Sequence, residues 1–206
     1  MESVLDRVIK QNTENVNLLK TKDYNIFSVL QIQSKEVLIC RMIADLLNPR
    51  GQHGAGAEYL KIFLRDCLGM EKMDTKLADQ AIVTAEYAID DERRIDIVIE
   101  MGSYFLPIEV KIYAADQKSQ CFDYYQYAKR RDAQAKVYYL TLDGHRPGKD
   151  STSSGSQSVP EEDIVCLSFR EHILNWLKAC KSCENTGMVP ILEQFIQNIE
   201  QISGYT

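Results

Sequence analysis

The fold is decided by residues 93–125, which read RRIDIVIEMGSYFLPIEVKIYAADQKSQCFDYY. Residues 94–100 alternate around three isoleucines, which predicts a strand with Asp96 on the face opposite to them. The residues Met-Gly-Ser at 101–103 predict a turn, so a hairpin is expected. A second strand over about 104–112 would place Glu109 and Lys111 on one face, because they are two residues apart.

Folding this hairpin brings Asp96 beside Glu109 on strands whose apolar residues indicate burial. Buried charges are costly unless they pair with each other or with a metal ion. Paired carboxylates favour Mg²⁺ or Mn²⁺, which take oxygen ligands and keep several waters. The pattern predicts a metal held by Asp96 and Glu109 with Lys111 beside it; the simpler alternative is an exposed strand face with a Glu109–Lys111 ion pair.

Two flanking segments extend the pattern. A helix predicted over about 115–131 carries Gln117, Gln120 and Tyr124 on one face, at i, i+3 and i+7. Upstream, Glu36 interrupts the apolar stripe of a helix predicted over about 25–47. The run LLNPRGQHG follows at 46–54, where proline and glycine end that helix.

In this order, the motifs resemble those of the PD-(D/E)XK nuclease superfamily, over about residues 30–145. D-x12-E-x-K matches the central motif, although Ile95 stands where the motif name has proline. Gln120 to Tyr124 resembles the QxxxY element of recombination helicase–nuclease domains. Glu36 and the LLNPRGQHG run resemble an uncharacterised bacterial branch.

The resemblance implies a metal-dependent nuclease that hydrolyses DNA phosphodiester bonds. Asp96, Glu109 and the Val110 carbonyl would bind Mg²⁺ or Mn²⁺, and Lys111 would orient or deprotonate the attacking water. Glu36 is either a further carboxylate of the metal site or an ordinary helix-surface acid. The fold it implies is a restriction-endonuclease-like core.

For the other candidate site residues, more than one role is possible. Gln120 and Tyr124, with Gln117 behind them, support the site, touch the DNA backbone or are polar positions of an amphipathic helix. His53, in a glycine-flanked loop, is either structural or a substrate contact. Glu86 on the preceding strand either faces the site or is an exposed acid.

The chain is expected to form one α/β domain over residues 1–206. A central mixed sheet of about five strands is flanked by helices, with extra helices at both termini, in the order αα-βββ-α-β-β-αα. The Gly, Ser and Pro content of 143–162 indicates a mobile loop. Beyond those above, helices are predicted at about 3–20, 57–68, 169–182 and 189–203, and strands at 81–89, 136–142 and 163–168.

The formal charge of −6 argues against a nonspecific nucleic-acid coat. Residues 111–149 nevertheless contain eight Lys/Arg and four Asp/Glu. Within them, the cluster Lys129-Arg130-Arg131 either caps a helix or contacts phosphate. Seven of the eleven tyrosines lie between Tyr104 and Tyr139, and some are candidates for base stacking.

No apolar run is long enough to cross a membrane and no signal peptide is recognisable, so a cytoplasmic location is expected. The six cysteines are expected to be thiols. Some relatives of this class hold an iron–sulfur cluster, but helical packing is the simpler role for the candidates Cys40, Cys166, Cys180 and Cys183.

The alternative function is a catalytically weak or inert member of the fold, which acts in nucleic-acid binding or assembly. A further reading is a small dimeric restriction endonuclease that pairs through a C-terminal apolar stripe of Ile191, Phe195, Ile199 and Ile202. The expected partner is DNA; a homodimer or a separate helicase or defence protein is left open. Phage defence and DNA repair are the settings that such relatives suggest.

Overall fold

A computed structural model describes residues 24–183 and 187–204. The helix predicted at 3–20 lies outside the described residues. The helices are α1 (Ile26–Val29), α2 (Glu36–Leu47), α3 (Glu58–Asp66), α4 (Thr75–Asp79), α5 (Gln120–Arg131), α6 (Lys149–Thr152), α7 (Leu174–Lys181) and α8 (Val189–Ser203). The strands are β1 (Ile82–Ala88), β2 (Arg94–Met101), β3 (Tyr104–Lys111), β4 (Val137–Thr141), β5 (Ser153–Ser154), β6 (Gln157–Ser158) and β7 (Ile164–Ser168).

Five strands form one mixed sheet in the order β1-β2-β3-β4-β7. The pairs β1–β2 and β2–β3 are antiparallel, whereas β3–β4 and β4–β7 are parallel. A two-residue loop joins β2 to β3, and Gly102 supplies the positive φ of 58° that this tight turn needs. The predicted α/β fold with a five-stranded mixed sheet is confirmed.

Apolar side chains cover both faces of the sheet. On one face, Ile97, Ile108 and Leu140 join the main core with residues of α2, α3, α7 and α8. On the other face, α5 packs over the sheet through a second cluster. That cluster consists of Ile95, Val98, Phe105, Cys121, Tyr124, Ala128, Ala135, Val137 and Tyr139. Burial on both faces explains why β3 and β4 are almost continuously apolar.

Two predicted helices differ from the expectation in their N-terminal parts. The helix expected over 25–47 is broken after α1, where Gln31 has a φ of 54°, and resumes at Glu36. Asn25 links α1 to α8, because its side-chain amide donates to the Gln194 carbonyl at 2.8 Å. The helix expected from 115 begins at Gln120, since Ser119 is left-handed with a φ of 58°.

The segment 143–162 contains short elements: α6, the β5–β6 hairpin and part of a 3₁₀ turn at Glu161–Asp163. It lies against the start of α5, where the Ser119 amide donates to the Asp150 carbonyl at 2.7 Å. The segment expected as a mobile loop thus contains short elements, and its mobility stays a prediction. Residues Phe169–Ile173 form a π-helical turn that leads into α7, and α8 spans the predicted 189–203.

The apolar stripe of α8 faces its own chain. Phe195 and Ile199 are buried in the main core, while Ile191 is exposed. Of the two alternatives for this stripe, packing on the same chain is the one observed. Within the described ranges, no helix combines the length and apolar character that a bilayer crossing requires.

Candidate active site

The antiparallel pairing of β2 with β3 ends at Ile97 and Ile108, and Asp96 and Glu109 are the next residues of the two strands. The two strands part at this point. The Val110 amide donates to Asp96 Oδ2 at 2.7 Å, and a carboxylate thus takes the place of a backbone acceptor. The Asp96 side chain therefore contacts the backbone of β3.

Glu109 and Lys111 lie on the face of the sheet that α5 covers. They are 1% and 7% exposed, and the Lys111 ammonium donates to Glu109 Oε1. The second Glu109 oxygen, Oε2, is buried and has no hydrogen-bond partner. A buried carboxylate oxygen without a donor is unfavourable, so this atom marks a position where a cation would be stabilising.

Burial and the charge of Asp96 raise the pKa of Glu109 well above its ordinary value, and Lys111 only partly offsets them. Burial also raises the pKa of Asp96, against the opposing hydrogen bond from Val110. The charge of Asp96 is the second cause of the raised pKa of Glu109, so the two carboxylates are neighbours. Repulsion between neighbouring carboxylates is relieved by a proton or by a metal ion.

Glu36 approaches from the first turn of α2. Its Oε2 accepts a hydrogen bond of 2.8 Å from the amide of Ile112, directly after Lys111. The buried thiol of Cys40, one turn further along α2, has a raised pKa through burial and then through the charges of Asp96, Glu36 and Glu109. Its bond to Ile112 and its effect on Cys40 place Glu36 near Asp96 and Glu109, which favours a part in the site.

This donor chemistry fits a divalent ion. Carboxylates and a backbone carbonyl are the hard oxygen ligands that Mg²⁺ and Mn²⁺ prefer, and Mg²⁺ is held by few protein ligands. With the side chains as they stand in 24–183 and 187–204, no three His, Cys, Asp or Glu residues are arranged as a ligand set. The residues that could hold the ion are Asp96 and Glu109, with Glu36 and the Val110 carbonyl nearby.

The site lies at the carboxyl edge of the parallel strands. Lys111, Thr141 and Ser168 are in register as the last residues of β3, β4 and β7. The loop that follows Lys111 crosses this edge. Its Asp116 accepts a hydrogen bond of 2.6 Å from the Tyr139 hydroxyl and another of 2.7 Å from the Gly148 amide. Loops at this edge are where α/β folds place ligands.

Gln120 and Tyr124, the QxxxY pair, form a buried chain of hydrogen bonds that reaches β2. The Gln120 side-chain amide donates to the Tyr124 hydroxyl at 3.2 Å, and that hydroxyl donates to the Arg94 carbonyl at 2.5 Å. Arg94 lies two residues before Asp96, so these hydrogen bonds hold the part of β2 that carries the Asp96 carboxylate. Of the three roles considered, support of the site is the one these contacts favour.

Gln117 was expected on the same helical face, and this was wrong because it precedes α5. Its side-chain oxygen accepts a hydrogen bond of 2.8 Å from Arg93. Arg93 also binds Asp123 of α5 at 3.1 Å and the Lys118 carbonyl at 2.6 Å. Arg93 therefore fastens the loop after Lys111 to the start of β2. Sequence reasoning missed this residue, because its partners lie 24 to 30 positions away.

His53 is 3% exposed and packs inside its loop. Its Nδ1 accepts from the Ala55 amide at 3.1 Å, Nε2 lies 2.9 Å from the Asn48 carbonyl, and the ring stacks on Tyr59. A Cβ at Gly51 would collide with the His53 ring. These contacts favour the structural alternative, and we leave His53 out of the proposed site.

Glu86 of β1 lies opposite Asp96 of β2. The β1–β2 pairing is interrupted there, and the φ of Glu86 is 54°. Its carboxylate pairs with Arg41 of α2 at 2.6 Å.

The basic residues at the end of α5 also make contacts within the chain. Lys129 pairs with Asp163 at 3.2 Å, and the Arg131 guanidinium pairs with Glu100 and lies over aromatic rings.

All six cysteines are free. The four candidates for a cluster are dispersed over α2, β7 and the end of α7. Cys180 is buried, and burial raises the pKa of its thiol. Burial likewise raises the pKa of the Cys166 thiol, with the positive charge of Arg146 opposing it.

Comparison with known proteins adds one finding. The family model described as the PD-(D/E)XK nuclease superfamily matches residues 24–197. Comparisons with curated proteins and with solved structures gave no match. The matched range includes α2 with Glu36, the β2–β3 hairpin and the QxxxY helix. The chain belongs to the PD-(D/E)XK nuclease superfamily.

Proposed function

We propose that this protein is a metal-dependent nuclease that hydrolyses phosphodiester bonds of DNA. The observation that carries the proposal is the buried Glu109, whose Oε2 lacks a partner while Asp96 and Lys111 lie beside it. A fold needs no such arrangement for stability, since buried charge clusters are seldom net stabilising. The family to which the chain belongs supports the reaction class.

Each residue has a stated role in this proposal. Asp96, Glu109 and the Val110 carbonyl would hold Mg²⁺ or Mn²⁺, and Glu36 would supply a further carboxylate. When bound, the ion would supply Lewis acidity, which makes water a better nucleophile and offsets charge on the phosphoryl oxygens. The Lys111 ammonium donates to Glu109 and has further N–H groups with which to orient the attacking water and stabilise developing negative charge.

The other residues of the proposed site would act indirectly, by holding the carboxylates and Lys111 in position. Gln120 and Tyr124 hold β2 at Arg94, and Arg93 holds the loop that follows Lys111. These contacts keep the carboxylates and the lysine at fixed separations, which catalysis by positioning requires. A cytoplasmic location and a part in phage defence or DNA repair go with this proposal.

The test is cleavage of linear single-stranded, linear duplex and circular DNA by the full chain, with Mg²⁺ or Mn²⁺ and with EDTA. Lys111→Ala should abolish metal-dependent cleavage, and the circular substrate separates endonuclease from exonuclease action. Lys72→Ala is the matched control, because this exposed lysine lies near Tyr104 at the opposite end of β3. Its cleavage should equal that of the wild type.

Equal cleavage by the wild type and Lys111→Ala would contradict the proposal. Absence of cleavage with every substrate and metal would also contradict it for the isolated chain, and would favour the alternative of a nucleic-acid-binding or assembly protein. Circular dichroism of Lys111→Ala must match that of the wild type, because loss of one partner of a buried ion pair can unfold a protein.

A further inference from the structure

Tyr113 lies at the edge of the candidate site and is 69% exposed, more than any other large hydrophobic side chain in the described part of the chain. It follows Lys111 by two residues, so their Cα atoms are at most about 7 Å apart. Ile112 between them is buried, and its amide is bound to Glu36. The backbone beneath Tyr113 is thus held at the site while its ring faces solvent.

Tyr113 is followed by a short exposed stretch of the loop. The exposed residues after Tyr113 are Ala114, Ala115 and Asp116, so no cation occurs in this loop before Lys118. Phosphate binding relies on lysine and arginine, whereas an exposed aromatic ring offers a surface on which a base stacks. The exposed ring of Tyr113 is therefore suited to a nucleobase, and the loop residues beside it offer no cation for a phosphate.

We propose that Tyr113 stacks on an unpaired nucleobase next to the scissile phosphate, and that the substrate is single-stranded DNA or a single-stranded segment of it. The inference rests on the proposed nuclease function and names its substrate class. Bases of an intact duplex are stacked on one another, and only an unpaired base exposes a free face. Because the Cα of Tyr113 lies at most about 7 Å from the Cα of Lys111, the base that its ring stacks on would be close to the reacting phosphate.

Binding measurements on the full chain test this. Fluorescence anisotropy in EDTA, which prevents turnover, compares a short single strand with a blunt duplex of the same sequence. Tyr113→Ala should weaken single-strand binding by at least about fivefold, the lower end of what a stacked base contributes. Duplex binding should not change, and Tyr113→Phe should retain the affinity because its ring is intact.

Ile82→Ala serves as the matched control, since Ile82 is also exposed but pairs with Glu100 at the far end of β1. It should bind both DNAs like the wild type. A 2-aminopurine base in the single strand reports stacking directly. Its fluorescence should fall on binding to the wild type and not on binding to Tyr113→Ala.

Three results would overturn the inference: unchanged single-strand affinity in Tyr113→Ala, an equal loss for the duplex, or an equal loss in Tyr113→Phe. A wild type that binds no single strand would also overturn it. The nuclease proposal is judged separately, by cleavage. Single-strand binding through Tyr113 without any cleavage would contradict the nuclease proposal and leave Tyr113 as a base-stacking residue of a binding protein. Cleavage that does not depend on Tyr113 would support the nuclease proposal and contradict this inference.

Discussion

The Asp96 carboxylate accepts a hydrogen bond of 2.7 Å from the Val110 amide, where β2 and β3 part. This contact joins two of the proposed ligand residues through the backbone. It also separates two properties of Asp96, because hydrogen bonding requires only an acceptor oxygen whereas metal binding benefits from the negative charge. An isosteric amide keeps the first property and removes the second.

We therefore expect Asp96→Asn to fold normally and to lose activity. The asparagine oxygen can still accept from Val110, but one negative charge near the proposed metal is lost. Metal-dependent cleavage should fall at least about a hundredfold, since metal-ion stabilisation is worth several kcal/mol. Initial rates over a range of Mg²⁺ concentrations measure this effect. Cleavage at the wild-type rate would show that Asp96 has no role in metal binding.

Glu109→Gln should gain no stability from Mg²⁺, unlike the wild type. The substitution removes the buried negative charge that would bind the ion, while the amide oxygen can still accept from Lys111. A ligand that binds only the folded state stabilises it, so Mg²⁺ should raise the Tm of the wild type and not that of Glu109→Gln. Thermal unfolding with EDTA and with Mg²⁺ provides the comparison. A Tm increase that is the same in both proteins would mean that Glu109 holds no metal.

Tyr124→Phe should destabilise the fold by about 1–3 kcal/mol, because the buried Gln120 amide and the Arg94 carbonyl both lose a partner. Cleavage by the folded protein should also fall, because β2 near Asp96 is held less firmly. Urea unfolding and cleavage rates measure the two effects. Tyr127→Phe is the control on the same helix, since its hydroxyl contacts the Tyr87 hydroxyl and Arg131 away from the site. If both variants behave alike, Tyr124 has no special part in the site.

The packing of residues 143–163 on α5 has a pH-dependent component. Burial alone would raise the pKa of Asp163, but the hydrogen bond from Tyr125 at 2.8 Å and the ammonium of Lys129 outweigh it and lower the pKa below its ordinary value. The unfolded chain then binds the proton more readily than the folded one. The stabilisation is complete above the unfolded pKa of about 3.9 and is lost as the pH falls through the lower folded value.

Asp163→Asn should accordingly cost about 1 kcal/mol near neutral pH, and this difference should shrink toward about pH 3. Urea unfolding of both proteins across this range measures it. A double-mutant cycle with Tyr125→Phe isolates the Tyr125 contact. A difference that is independent of pH would show that the Asp163 carboxylate is not ionised preferentially in the folded protein.

The sequence by itself determined the strands and the order of the site residues. The run of β-branched residues marked β2, although its alternation breaks at Asp96: Ile95 packs under α5, whereas Ile97 and Ile99 pack in the main core. The two-residue spacing of Glu109 and Lys111 placed them on one face of β3. Such patterns are readable because backbone geometry repeats every two residues along a strand, and both members of each pattern lie within one short segment. The turn at Gly102 then placed Asp96 opposite Glu109.

Tertiary structure decided which side chains meet. Glu36 bonds to Ile112 from 76 positions away, Arg93 holds Gln117 across 24, and His53 is enclosed by its own loop and Tyr59. The broken helix before Glu36 depends in the same way on contacts between α1 and α8. Long-range partners leave no periodic trace in the chain, because they are selected by how whole elements pack and not by local backbone geometry.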